Sequence, residues 1–467
     1  MTRLALISGL GHTLLVVLGL LIYVMATRIG HQRRHPSAAL SWVLGIVAFP
    51  YVAVPLFLLV GTRKFARPLR QPRSREGVAS PLACGPGPRW ATQVLASMGL
   101  APAARNGRVV FHQDGAEALQ ALLDTIASAR QHLDVSTFVF GHDEVGMRVA
   151  QALAQAAQRG VATRLLIDAV GCLQTPRGML RDLIASGVKV RRFMPLLHNP
   201  MRGRTNLRNH RKMVVADGAR LWSGGRNLAA EYFVGRGRQS AWVDLSYGVE
   251  GALAAQAQAQ FKADWRAATG RVRFTRAPQL LEAPVGPADG PLAQWVPSGP
   301  DHADDTVHAL LLAGAYHAQR RIIAVTPYFV PDEALLDAWC MACRRGVQVS
   351  LVMPARSNHR LADWARERAL RQLVYAGGQV WLVPHMLHAK AVLIDDDFAL
   401  SGSLNLDARS LFLNYEAMTA FYGEAEVRWL AAWCERETAQ ARPYHARQPS
   451  WPREIAEGVV RSVGFQL

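Results

Sequence analysis

Lysine is nearly absent from this chain. Five (Lys64, Lys189, Lys212, Lys262, Lys390) stand among 53 basic residues, so arginine carries almost all the positive charge. Acidic residues are also short, 35 against those 53, which leaves a net charge of +18 at pH 7. That excess implies an anionic partner, nucleic acid or an anionic lipid surface, and composition does not choose between them. Cysteine is the next scarcity. Five in 467 residues, odd in number and scattered (Cys84, Cys172, Cys340, Cys343, Cys434), argue against a disulfide framework. Cys340-Met-Ala-Cys343 has C-x-x-C spacing, but it lies in the helix-like run Ala334–Arg345 and has no second pair, which favours helix packing over metal or redox chemistry. Charged residues are only 19% of the chain and hydrophobic residues 50%, unlike a disordered chain and suited to a globular body with a membrane segment.

Charge is missing altogether from two stretches. Leu4–Ala26 holds no acidic or basic side chain except His12, and Ser37–Gly61 holds none. Each is long enough to cross a hydrocarbon core of about 30 Å at about 1.5 Å per residue. The first run is too long for a cleaved signal peptide and a second follows it, so residues 1–65 read as a two-helix transmembrane hairpin. Pro50 and Pro55 are expected to kink the second span. Arg3 lies on one side with Arg63, Lys64, Arg67, Arg70, Arg73 and Arg75, against Arg28, Arg33 and Arg34 in the loop. The positive-inside rule then places both termini and the globular body on the cytoplasmic side.

The rest of the chain divides by composition and by an internal repeat. Residues 66–105 read as a basic Pro/Gly-rich linker, 106–270 as a first repeat, 271–304 as a second linker, 305–440 as a second repeat and 441–467 as a tail. The tail's Ile455, Val459, Val460, Val463 and Phe465 form an apolar stripe expected to pack on the body. Ala129–Phe140 matches Gln319–Val330, and Arg159–Ile167 matches Arg345–Met353. Each copy alternates helix-like stretches with short β-branched runs, the pattern of an α/β fold.

Two of the five lysines fall in one pattern. His210-Arg-Lys212-Met-Val-Val-Ala-Asp217 and His388-Ala-Lys390-Ala-Val-Leu-Ile-Asp395 both read H-x-K-x-x-x-x-D. Composition gives roughly 0.007 such matches per chain by chance. Each is followed by a glycine turn and an asparagine, Gly224-Gly225-Arg226-Asn227 and Gly402-Ser403-Leu404-Asn405. The runs Met213–Val215 and Ala391–Ile394 are expected as buried strands, with the two copies packed face to face around one site. Lys212 and Lys390 suit the charge of a phosphodiester, and Asn227, Ser403 and Asn405 are neutral phosphate donors. One histidine, neutral, suits attack on phosphorus. The other, protonated, suits proton donation to the leaving alkoxide. Opposite roles require environments that push the two pKa values apart. Asp244 and Glu416 are each expected to orient the histidine of their own repeat. Asp217 and Asp395 complete the motif, and their place at strand ends suits holding a turn. The chemistry requires neither metal nor cofactor.

These residues carry a family resemblance. The paired motifs resemble the phospholipase D superfamily and, within it, bacterial cardiolipin synthases anchored by an N-terminal helix hairpin. Further matching strings are Arg208–Lys212, Trp242-Val-Asp244, Ser298-Gly-Pro-Asp301, Thr326–Asp332, Leu387–Lys390 and Gly402–Ser410. The resemblance implies two phospholipase D-like α/β sandwich repeats around one shared active site. It also implies transfer of a phosphatidyl group between two phosphatidylglycerol molecules through a phosphohistidine, at the cytoplasmic membrane and without a nucleic-acid partner. By that resemblance the catalytic set is His210, Lys212, Asp217, His388, Lys390 and Asp395, with His210 as nucleophile and His388 as acid and base. A hydrolase, or a transferase using another acceptor alcohol, would share every one of these residues. Ala229-Ala230 and Val383-Pro-His385 depart from the family pattern on the substrate approach.

Overall fold

Each repeat begins with a strand, and its successive strands and helices build a sheet covered on its outer face. The computed structural model describes residues 3–29, 36–60, 87–195, 206–237, 239–269, 286–302 and 304–463. Three apolar helices come first, α1 (Arg3–Ile29), α2 (Pro36–Ala48) and α3 (Pro50–Val60), followed by α4 (Arg89–Ser97). The first repeat comprises β1 (Ala104–His112), α5 (Gly115–Ser128), β2 (His132–Thr137), α6 (Glu144–Gln158), β3 (Ala162–Asp168), α7 (Arg177–Ala185), β4 (Lys189–Phe193), β5 (Met213–Ala216), β6 (Arg220–Gly224), β7 (Ser246–Gly251) and α8 (Ala252–Ala267). The second comprises β8 (Leu292–Ser298), α9 (Thr306–His317), β9 (Arg321–Val325), β10 (Phe329–Val330), α10 (Glu333–Arg344), β11 (Gln348–Pro354), α11 (Arg360–Ala365), α12 (Glu367–Tyr375), β12 (Gln379–Val383), β13 (Ala391–Ile394), β14 (Phe398–Gly402), β15 (Leu406–Asp407), α13 (Ala408–Phe412), β16 (Glu416–Phe421) and α14 (Glu424–Ala439). A short β17 (Arg442–Pro443) and helix α15 (Trp451–Val463) close the chain.

The two sheets have matching order. The first runs β1-β7-β6-β5-β2-β3-β4 and the second β8-β16-β14-β13-β9-β11-β12-β17, and they join edge to edge where β1 meets β8 at Ala104–Ala293 and Arg105–Leu292. In each, the strand after the H-x-K motif lies antiparallel to the first strand of a parallel set: β5 beside β2 and β13 beside β9. Alternation on these strands sorts their side chains. Val214 and Ala216 face the outer helices α5, α6 and α7, whereas Met213 and Val215 join a central core with α8. Val392 and Ile394 likewise face α9, α10 and α12, while Ala391 and Leu393 enter the same central core. That shared core makes the repeats one body. Cys340 is buried in the outer core of the second repeat on α10, as helix packing requires.

Three expectations change. The linker drawn over 271–304 contains β8, a fully buried strand between β16 and β1; its burial on both faces removes the polar alternation that marks a half-exposed strand. The region drawn as linker over 66–105 contains α4, which buries Ala91, Thr92 and Leu95, and the start of β1. The second apolar run forms two helices, α2 and α3, meeting at Phe49 beside Pro50, as the missing proline donor dictates. Among the described residues no helix is long and apolar enough to cross a membrane. The arginine-rich stretch 61–86 and the stretch 196–205 ahead of the first motif lie outside the described residues. The tail packs on the body through Glu457, which is buried and accepts from Arg371 of α12 at 2.5 Å. The side chains of Ile455, Val459, Val460, Val463 and Phe465 fall outside the described set.

Candidate active site

Each histidine sits just ahead of its strand, where the backbone crosses between repeats. His210 N donates to Tyr415 O at 2.9 Å and Tyr415 N to Arg208 O at 2.8 Å. The pseudo-equivalent exchange runs from His388 N to Val243 O at 2.7 Å and from Val243 N to Met386 O at 2.9 Å. These two parallel bridges, Asn209–Tyr415 and Val243–Leu387, stitch the motif of one repeat to the segment preceding the carboxylate of the other.

The consequence is a crossed pair of acids. His210 Nδ1 donates to Glu416 at 2.9 and 3.0 Å, and His388 Nδ1 donates to Asp244 Oδ2 at 2.6 Å. The expectation that each carboxylate serves the histidine of its own repeat is therefore corrected: the carboxylates are exchanged across the seam. Both carboxylates are fully buried. With Nδ1 committed as donor, the hydrogen-bond network assigns each imidazole the tautomer whose Nε2 carries the lone pair, the atom that can act as nucleophile or base.

Lys212 and Lys390 lie with their histidines, as the two-residue spacing requires. Lys212 Nζ donates to His210 O at 2.7 Å; Lys390 Nζ donates to His388 O and lies 3.0 Å from His388 Nε2. Burial, to which the charge of Lys390 adds, holds Lys212 down at about 7, and burial holds Lys390 down at about 8, although Glu416 and Asp244 oppose both shifts. Burial also lowers His210 to about 4 against the pull of Glu416, and His388 to about 3, where Lys390 adds to the effect. His210 feels Lys390 and His388 feels Lys212, so the four groups share one electrostatic field. For Asp244, burial acts upward, but His388, Lys390 and Arg226 bring it down to about 2. Glu416 is lowered likewise, burial being outweighed by His210, Lys212 and the Ser403 hydroxyl. Both histidines are thus neutral in the ligand-free site, and the expected separation of their pKa values is not built into it. An anionic phosphodiester between them would raise both.

The polar residues after the motifs divide. Asn227 is buried and its Oδ1 accepts from Val139 N at 3.2 Å; Asn405 Nδ2 donates to Ser410 Oγ at 3.3 Å, and its buried Oδ1 has no partner among the described residues. Ser403 is corrected from phosphate donor to support, because its hydroxyl donates to Glu416 Oε2 at 2.5 Å. Gly225 takes the corresponding place in the first repeat, where an added Cβ would meet Asp244 Oδ1 at 2.2 Å. The two acids are therefore held differently.

Asp217 and Asp395 do not reach the site. They stand at the far ends of β5 and β13 in left-handed backbone, φ 53° and 51°. Asp217 accepts from the backbone of Arg130, Gln131 and His132 at 2.8 Å each, and Asp395 from Gln319, Arg320 and Arg321. Each pins the entry of its parallel strand, and the catalytic assignment of both is replaced by a structural one. Asp217→Ala is expected to cost about 2 kcal/mol, from lost charge-assisted hydrogen bonds and an alanine forced into left-handed backbone. Thermal unfolding should register that loss while turnover at saturating substrate changes less than about twofold, since no reacting group moves.

With this geometry in view, a family profile described as "Cardiolipin synthase, PLD-like domain" matches residues 122–265 and 311–438, one segment in each repeat. The chain belongs to that family. Cardiolipin synthase A of Escherichia coli (strain K12 / DH10B) is 30% identical over 470 residues, covering 95% of this chain and 96% of that one. The major cardiolipin synthase of Bacillus subtilis (strain 168) is 28% identical over 485 residues, covering 97% and 98%. The crystal structure of phosphatidylserine synthase from Haemophilus influenzae Rd KW20 shares the fold, with a TM-score of 0.63 at 14% identity over 81% of this chain and 100% of that one.

Several site residues of this family member were not singled out by sequence reasoning. Phe138 meets the His210 ring edge-on at 5.0 Å, while Tyr232 and Trp242 lie 5.0 and 5.5 Å from the His388 ring. Arg211, between the motif His and Lys, is fully buried; it donates to Glu416 O at 2.9 Å, to Asp264 at 2.5 Å and to Asp301 at 3.1 Å. It ties α8 and the Ser298–Asp301 turn to the strand that carries Glu416, and removing one partner of such a buried pair costs about 3–5 kcal/mol. The signal available was the Ser298-Gly-Pro-Asp301 string, recognised without a role. In the second repeat Ala389 takes the place of Arg211, which hides the contact from any symmetric reading.

The free-enzyme pKa values set a pH dependence. Neutral imidazoles persist down to about 4, so the acid limb of kcat/KM should lie near there. Lys212 loses its proton as pH rises through about 7 and Lys390 through about 8, which removes the phosphate-binding charge. The expected profile of kcat/KM falls from about pH 7 and more steeply above 8, chiefly through KM, because bound phosphate restores the lysine protons. A kcat/KM that stays flat to pH 9.5 or so would contradict the buried-lysine geometry.

Proposed function

We propose that this protein is a cardiolipin synthase, transferring a phosphatidyl group from one phosphatidylglycerol to another and releasing glycerol. The observation that carries it is the pair of His–Lys units converging on one seam, each imidazole oriented by the other repeat's acid. The near full-length likeness to cardiolipin synthases supports the substrate. In this reading the bound phosphodiester raises His388 so that its Nε2 takes up a proton; His210 Nε2 attacks phosphorus, the bond to the glycerol oxygen breaks, and His388 passes that proton to the oxygen. The phosphohistidine is then attacked by a glycerol hydroxyl of the second phosphatidylglycerol, whose proton goes to His388, and His210 is released. Lys212 and Lys390 balance the phosphoryl charge through both steps. No metal or cofactor takes part.

The proposal includes the membrane. Two uncharged runs, and the exposure of Leu14, Leu18, Leu21, Leu44, Phe49 and Val52 on the N-terminal helices, support a two-pass hairpin anchor. The distribution of flanking arginine supports a catalytic body on the cytoplasmic side of a bacterial inner membrane. Incubating the full chain in membranes with labelled phosphatidylglycerol alone tests the activity: cardiolipin and glycerol are expected, and phosphatidic acid as sole product would overturn the transferase. External protease on intact spheroplasts should leave the body whole; its digestion would reverse the topology.

A further inference from the structure

Two loops follow equivalent strands at the end of each sheet where the histidines stand. β2 and β3 end beside the His210 side of β5, since Ser136 pairs with Met213 and Thr137 with Ile167. β9 and β11 end beside the His388 side of β13, where Val325 pairs with Ala391 and with Val352. The loops after β3 and β11 are pseudo-equivalent, with Ala169 N donating to Phe193 O and Ala355 N to Val383 O. Both therefore form lips of the same seam. The second lip is tied to the neighbouring chain: Tyr328, in the link between β9 and β10, donates to Asn358 at 2.5 Å and packs its ring 5.3 Å from His359.

This second lip is unusual in composition. Helix α11 turns Ala362 and Ala365 into the body and presents Leu361 and Trp364, both 55% exposed, one turn apart. Arg366, with φ −70° and ψ −26°, continues the helical path into α12, so exposed Arg360, Trp364 and Arg368 fall in line at four-residue spacing. Exposed Arg356 precedes them. The acids nearby are engaged elsewhere: Asp363 pairs with Arg366 at 2.9 Å, and Glu367 accepts from Tyr444 at 3.0 Å. On the opposite lip Leu173 is 66% exposed, with exposed Arg177 four residues on at the start of α7, and its loop is anchored to Phe138, the ring against His210, by the Cys172 thiol. An exposed Trp and Leu framed by arginines is the chemistry of an anionic bilayer interface, where the indole seats at headgroup depth and guanidinium groups meet phosphates.

We infer that the α11 lip, with Leu361 and Trp364 flanked by Arg356, Arg360 and Arg368, is a second membrane contact that dips into an anionic phospholipid surface and seats the catalytic seam against it. The inference rests on the lipid-substrate reading, and it is distinct from the N-terminal anchor. Its function is access: a diacyl substrate then reaches the histidines by sliding along the lip without leaving the bilayer. The charge complementarity and the position of the lip at the mouth, facing the source of substrate, select this occupant over a protein partner.

The full chain reconstituted in phosphatidylglycerol vesicles with brominated acyl chains tests the contact. The parent should lose more tryptophan fluorescence than a Trp364→Phe variant, the difference being the lip's own signal; equal fractional quenching would overturn the inference. Leu361→Ser with Trp364→Ser should lower turnover of vesicle phosphatidylglycerol about fivefold while turnover of a dispersed short-chain phosphatidylglycerol stays within about twofold. A parallel fall on both substrates, or no fall on vesicles, would also overturn it. Quenching needs no turnover, so a chain that quenches as expected but converts no phosphatidylglycerol would sink the synthase and leave the contact standing.

Discussion

Alanine at either His210 or His388 is expected to cut phosphatidyl transfer by about 10^4-fold or more, with little change in folding. Each ring is buried with Nδ1 given to a carboxylate, so only Nε2 is left for the reaction. Both steps use both rings, which is why the two losses should be comparable and their combination hardly worse than either. Release of labelled glycerol from phosphatidylglycerol measures the rate. The variants should separate in a quenched reaction: His388→Ala can still accumulate a labelled phosphoenzyme, and His210→Ala cannot. Label on His210→Ala but not on His388→Ala would exchange the roles. Activity of either variant within about a hundredfold of the parent would remove the double-histidine mechanism altogether.

Glu416→Gln and Asp244→Asn are expected to lower kcat by about 10^2- to 10^4-fold each, since an amide neither fixes the tautomer nor stabilises an imidazolium. The diagnostic result is which histidine responds. The downfield Nδ1–H resonance of His210 should move in Glu416→Gln and stay in Asp244→Asn, with His388 behaving in reverse. A response within the same repeat would refute the crossed pairing. Glu416→Gln should also disturb Ser403, whose hydroxyl it now holds, whereas Asp244 faces Gly225 and has no such side chain to release. Ser403→Ala is accordingly a milder, one-sided perturbation that acts through His210.

Much of the site was legible because its chemistry is local in sequence. His and Lys two residues apart share a side of the chain whatever the rest of the fold does, and a glycine turn then an asparagine follow within reach. Asp217 and Asp395 mark the edge of that legibility. The eight-residue string groups them with the catalytic pair, but five residues of strand, about 16 Å, carry them to the opposite end of the sheet. There each caps three backbone amides. β8 was missed for a different reason: Leu292–Ser298 contains Gln294 and Pro297 and is buried on both faces, so neither alternation nor a clean apolar run reports it.

By itself, the amino-acid sequence determined the duplicated α/β architecture, the four reacting side chains and the anionic character of what they handle. Strand periodicity, scarce lysine and net charge are all properties of neighbours along the chain. The tertiary structure alone decided which acid serves which histidine, that Ser403 braces Glu416 and does not face phosphate, and that Arg211 ties Asp264 and Asp301 to the strand bearing Glu416. The reason is the seam. Two copies packed about a pseudo-two-fold axis bring the start of each motif beside the other copy's carboxylate. His210 and Glu416 meet across 206 residues, and His388 and Asp244 across 144, at contacts that no spacing within a repeat encodes.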